Sequence, residues 1–113
     1  MSDINVYQRY YAARAEYNGV TRRAASVMLI AHSCDGNISY EAAVTFFPYE
    51  HEGDFRITYD AFLSKIVYDA PGRRSKKREK ELLDTLSDEI DSMLVDINAQ
   101  VYWDEPIGEG KIG

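Results

Sequence analysis

Residues 72–83, GRRSKKREKELL, gather Arg73, Arg74, Lys76, Lys77, Arg78 and Lys80 into eight positions, with only Glu79 among them. Cations at this density bind anions, and phosphate oxygens are the commonest target. Ser75 is a suitable N-cap, and a helix starting there turns free backbone N–H groups and a positive dipole end toward the same anion. The candidate nucleic-acid or anion contacts are therefore Arg73, Arg74, Ser75, Lys76, Lys77 and Lys80. The plain alternative is a solvated basic surface. Charge order argues against it, because each cation at a helix start costs about 0.3–1 kcal/mol at low salt. Asp88, Glu89, Asp91 and Asp96 crowd toward the other end. Lys77–Glu81 and Lys80–Asp84 offset some of that cost, in the weaker orientation. An arrangement that costs stability is better explained if an anion sits there.

Other chemistry is thinner. His32 and His51 are the only histidines, and Cys34 is the only cysteine. Glu50, His51, Glu52 and Asp54 cluster in a short acidic loop, but no second ligand group completes a metal shell. Cys34 with His32 forms no nucleophile arrangement, and no glycine-rich phosphate loop is present. Glu41 and Asp60 could face one another, yet nothing marks a cleft. The expectation is a non-enzymatic protein with no metal and no cofactor.

The chain around these residues has 113 positions and a net charge of −6. With the six clustered cations and their Glu79 set aside, seven basic side chains face eighteen acidic ones, a net of −11. An acidic body thus carries one basic spot, and its average charge disfavours non-specific attraction to nucleic acid or anionic membrane. The longest apolar-looking run, AASVMLIA, has eight residues, where a span needs about 20. The start, MSDINVYQRYY, does not resemble a secretory signal. A single cysteine excludes an intrachain disulfide. These features point to one domain in the cytoplasm, without membrane contact.

The elements that must hold the basic spot read as follows. Ile4, Tyr7, Tyr11 and Ala15 form one stripe, and Val6, Tyr10, Ala13 and Tyr17 a second, so residues 3–18 are expected to be a helix ended by Asn18-Gly19. Residues 24–47 form a hairpin around Asp35-Gly36, a type I′ signal. If Cys34 pairs with Asn37, then Val27 faces Val44, Leu29 faces Ala42 and Ala31 faces Tyr40, which collects the apolar residues on one face. A third strand is expected from about 55 to 68, with a bend near Ala61-Phe62. Leu82, Leu86, Ile90, Leu94 and Ile97 then recur at helical spacing and predict one long helix over 75–98. Residues 101–103 suggest a short final strand. The predicted fold is α+β, with an antiparallel sheet of three to four strands and both helices on one face. The domain covers 1–103, and 104–113 form a mobile tail.

The segment GRRSKKREK, set in the order helix, three strands, helix, resembles the start of the last helix in double-stranded RNA-binding domains. The resemblance implies that Ser75, Lys76, Lys77 and Lys80 touch RNA phosphates across a major groove. It covers nine residues by motif and about 5–98 by topology. The turn CDGN lacks the Pro-His element that the family carries in its loop after the first strand.

Two functions follow. The first is a nucleic-acid-contacting module that holds RNA or DNA backbone phosphates at the basic turn. The second is an acidic, tyrosine-rich protein-interaction module, a regulator or inhibitor of the kind that phages and mobile elements encode, occupying a partner's surface. A homodimer through an exposed strand edge is compatible with either.

Overall fold

A computed structural model describes residues 2–17, 20–47 and 62–108. The described chain runs β1 (Ser2–Tyr17), β2 (Val20–Cys34), β3 (Asn37–Phe47), β4 (Phe62–Pro71), α1 (Lys76–Asp84), α2 (Leu86–Leu94), a 3₁₀ turn (Val95–Ile97) and β5 (Gln100–Gly108). The strands form one antiparallel sheet in the order β4-β3-β2-β1-β5.

The β2–β3 hairpin has the expected register. Asp35 and Gly36 both take positive φ, 52° and 79°, as a type I′ turn requires. Cys34 then pairs with Asn37, Ala31 with Tyr40, Leu29 with Ala42 and Val27 with Val44. These six apolar residues are buried together with Phe46 on the side that receives the helices.

The expected N-terminal helix is instead β1. The first of two register shifts explains the misreading. Pairing with β2 slips between Asn5 and Tyr7 and again between Ala12 and Ala15. A bulge adds one residue to a strand and inverts its alternation. Ile4 and Tyr7, three apart, therefore pair with Ala31 and Leu29 on the same sheet face. Tyr7, Tyr11 and Ala15 follow at intervals of four, which suit a strand and a helix equally. The bulge turned a strand pattern into an imitation of helical spacing, and the tyrosines, good strand formers, decide for the sheet.

With β1 in the sheet there are five strands, not three to four, and a helix–strand–strand–strand–helix order is ruled out. The likeness to double-stranded RNA-binding domains fails with it. The long C-terminal helix is also corrected, because it breaks at Thr85. There φ is −110° and ψ 4°, the amide donates back to α1, and Oγ1 donates to the Leu82 carbonyl at 3.3 Å. Glu89 N–H bonding to the Thr85 carbonyl starts α2 afresh. The last turn tightens to 3₁₀ and stops at Asn98, in the left-handed region.

α2 buries Leu86, Ile90 and Leu94 against the β2–β3 face. Each contributes about 1.5–3 kcal/mol of burial. β5 extends from Gln100 to Gly108, through residues assigned above to a tail. Val101 pairs with Ala13, and Trp103 stands edge-on to Tyr11 with ring centroids 5.0 Å apart. On the reverse face a smaller cluster joins Tyr10, Ala24 and Phe47 with Ile107. The expected stop at Asn18-Gly19, the link at 48–54 and the 55–61 part of the third strand, with Ala61, lie outside the described residues.

Candidate functional site

The basic segment enters α1 from β4 through a turn tied to the hairpin. Gly72 has φ 126°, a conformation that a side chain would strain, and its N–H donates to the Gly36 carbonyl at 2.8 Å. Ser75 is extended and caps α1: its Oγ accepts from the Arg78 N–H at 3.2 Å, and its carbonyl accepts from the Glu79 N–H.

Glu79, the one acid in the basic run, points inward and is buried. Arg74 grips it with two hydrogen bonds, Nε to Oε2 at 2.8 Å and Nη2 to Oε1 at 3.1 Å. The Tyr40 hydroxyl donates to Oε2 at 2.8 Å, and the Ser75 N–H donates to that hydroxyl at 3.4 Å. The Arg74 hydrogen bonds hold the Glu79 carboxyl below its ordinary range, against an opposing effect of burial; Tyr40 and nearby Lys76 add to the lowering. Burial, followed by the Glu79 hydrogen bond, pushes the Tyr40 phenol up. The same partner raises Arg74.

This network divides the predicted contacts. Arg74 is committed to Glu79, and Ser75 to the helix cap. Arg78, outside the predicted set, lies over the Tyr68 ring at 4.6 Å and reaches Glu81 at 3.9 Å. Arg73, Lys76, Lys77 and Lys80 are exposed and make no ion pair among the described residues. A hollow of about 140 Å³ beside Arg73 is lined also by Tyr40, Tyr68, Pro71, Ser75 and Arg78, and none of the three lysines lines it. Lys76, Lys77 and Lys80 fall within the first five residues of α1, and Arg73 lies just before its cap. Asp35 shares a second hollow with Arg73, and Asp69, Glu81 and Asp84 are exposed nearby in the chain.

A second polar group escaped the sequence reading. His32 Nδ1 lies 2.8 Å from Asp3 Oδ1, and Nε2 lies 2.9 Å from Glu41 Oε1, so one imidazole ties β1, β2 and β3. The Asp3 hydrogen bond is the main cause that raises the His32 pKa; burial opposes it, and Glu41 adds to it. The hairpin register puts His32 and Glu41 on one face, opposite the apolar one, but Asp3 joins them only once residues 2–17 are a strand. Both ring nitrogens are taken on opposite sides, so the two carboxylates do not converge on one cation. Among the described residues no group of three or more side chains could hold a metal ion, and no helix is long and apolar enough to cross a membrane. Cys34 is exposed, with its thiol 3.6 Å from Asp35 Oδ2. His51, its acidic neighbours and Asp60 lie outside the described residues.

No family model, curated protein or solved structure matches this chain.

Proposed function

We propose that this chain is a protein-binding module whose docking site is the start of α1, where Arg73, Lys76, Lys77 and Lys80 engage an acidic surface of a partner protein. The observation that carries this reading is the Arg74–Glu79–Tyr40 network. It anchors the helix start to the sheet and leaves four exposed cations within eight residues, in a chain whose remaining charge is strongly acidic. A nucleic-acid duplex presents a repeating line of charge and is met by a stripe or ridge of cations. A short basic run on an acidic body fits a local acidic patch better, because the chain's other carboxylates would repel a phosphate backbone running past it.

The test is the double variant Lys76→Ala/Lys77→Ala. Both side chains are exposed and stand at a positive helix end, so melting should be unchanged or slightly raised. Cross-linking in cells followed by recovery of the chain should show at least one protein adduct that the variant loses. Duplex RNA and DNA should bind neither form at low salt. Adducts identical in both forms would sink the docking reading. Duplex binding that weakens with salt, with a slope shallower by about one for each cation removed, would favour nucleic acid instead.

A further inference from the structure

We infer that the acidic surface fitted by this basic end is the far end of the same helical segment on a second copy, so that copies associate head to tail. The inference rests on the reading of the α1 start as a docking site and names its partner.

α1 begins, and α2 with its 3₁₀ turn ends, with charge set against the helix dipole. At the start, cations stand where the backbone is already positive. At the finish, neither α2 nor the 3₁₀ turn has a basic residue in its last turn, and Asp91 and Asp96 stand where the backbone is already negative. β5 continues from there with Asp104 and Glu105, and from Glu81 to Gly108 the sequence contains no lysine, arginine or histidine. Each end alone is unfavourable, and each complements the other.

The acidic end is also a groove. A hollow of about 360 Å³ is lined by Leu94, Val95, Ala99, Val101 and Trp103, with Asp91 at its rim. The Trp103 indole N–H donates to Asp91 Oδ1 at 3.0 Å, which holds the ring in place. Val95 is 76% exposed and Ile97 42%, two large apolar side chains on either side of Asp96 in the chain. Apolar surface with a charged rim is the make-up of an interface. Lysine suits it on both counts: its methylene stem covers Val95 and the Trp103 ring, while its ammonium reaches the carboxylates. Lys76 and Lys80, one turn apart, and Lys77 beside them offer three such side chains.

The two ends cannot satisfy one another within a copy. The basic end is pinned at Gly36, by the β2–β3 turn. The acidic end sits where Val101 pairs with Ala13, beside the stretch of β1 that meets β2 at Arg22–Ala24. That is most of β2 away, roughly 30 Å at the strand rise and beyond the reach of screened charges. Four other cations lie near the acidic end: Arg22 and Arg23 on β2, the first buried and already engaged and the second exposed, and Lys65 and Arg14. Lys65 flanks α2 and is held by Glu89 at 3.3 Å and by Ser92. Arg14 pairs with Gln100, one residue out of step with the Ala13–Val101 pair and so on the reverse face. Asp96, Asp104 and Glu105 have no ion pair among the described residues. A contact between unlike ends leaves one end of each kind open, so it propagates into a ring or a row.

Sedimentation velocity of the intact chain at low salt tests this with two variants, Lys76→Ala/Lys77→Ala and Asp96→Asn/Asp104→Asn. Wild type should sediment faster with rising concentration and return to a monomer at high salt. Each variant alone should lose about tenfold or more in self-association, with unchanged circular dichroism. An equimolar mixture should recover a dimer and nothing larger, since it contains one intact junction. A wild type monomeric at every concentration, or oligomers indifferent to both variants, would overturn the proposal. If wild type is monomeric but Lys76→Ala/Lys77→Ala still loses a cross-linked protein, the docking site stands with a different partner. If that variant changes neither readout, both readings fall.

Discussion

Tyr40 and Glu79, 39 positions apart, meet at 2.8 Å between β3 and the first turns of α1, the hydroxyl donating to the carboxylate. Tyr40→Phe keeps the ring and removes that donor from a buried, charged acceptor. It should cost about 1.5–3 kcal/mol, read as a lower urea midpoint with an unchanged slope. A change near zero would mean that Arg74 alone satisfies Glu79.

Two groups should bend the pH dependence of stability in opposite directions. Glu79 has a lowered pKa, chiefly through Arg74. Its contribution is present above the ordinary carboxylate pKa and is lost as pH falls through the lowered one. Glu79→Gln should flatten the acid limb of a plot of melting temperature against pH. His32 has a raised pKa, chiefly through Asp3. Its contribution is complete below the ordinary value of 6.5 and is lost as pH rises through the raised one. The same plot should fall as pH rises above 6.5, and His32→Gln should remove that fall.

Ile90 is fully buried between α2 and the sheet. Ile90→Ala should cost about 2–5 kcal/mol by chemical denaturation. Val95→Ala, at a position 76% exposed, should be close to neutral in the same assay.

Gly36 has φ 79° with open space around it, so a methyl group meets no neighbour and only the backbone resists it. Gly36→Ala should cost about 1–2 kcal/mol and Gly36→Asn less, because asparagine tolerates the left-handed region. Equal losses in the two variants would point to a cause other than φ.

The hairpin was legible because two independent signals agreed. Asp35-Gly36 demanded one turn, and the register that it set placed Val27, Leu29, Val44 and Ala42 on one face. β1 was not legible because its first bulge hid the alternation, and no residue type marks a bulge. With it went Asp3, and so the His32 network. The anchoring role of Arg74 was hidden for another reason: nothing local separates it from Arg73, and its partner turns inward to reach a tyrosine on β3. One signal was available. Glu79 precedes Leu82, Leu83 and Leu86 by three, four and seven residues, which puts the lone acid of the run on the apolar face of the helix.

The position of β5 beside β1 sets an order of events during synthesis. Hairpin β2–β3 and its neighbours can zip from local contacts as they emerge from the ribosome. The outer edge of β1 cannot, because Arg14 waits for Gln100 and Tyr10 for Gly108. Until residues 100–108 have been translated, a strand of 16 residues carries an open edge, the kind of surface on which nascent chains pair with one another. A product that stops before Gln100 keeps the hairpin and loses this protection. It should collect in the insoluble fraction, while the full sequence stays in solution.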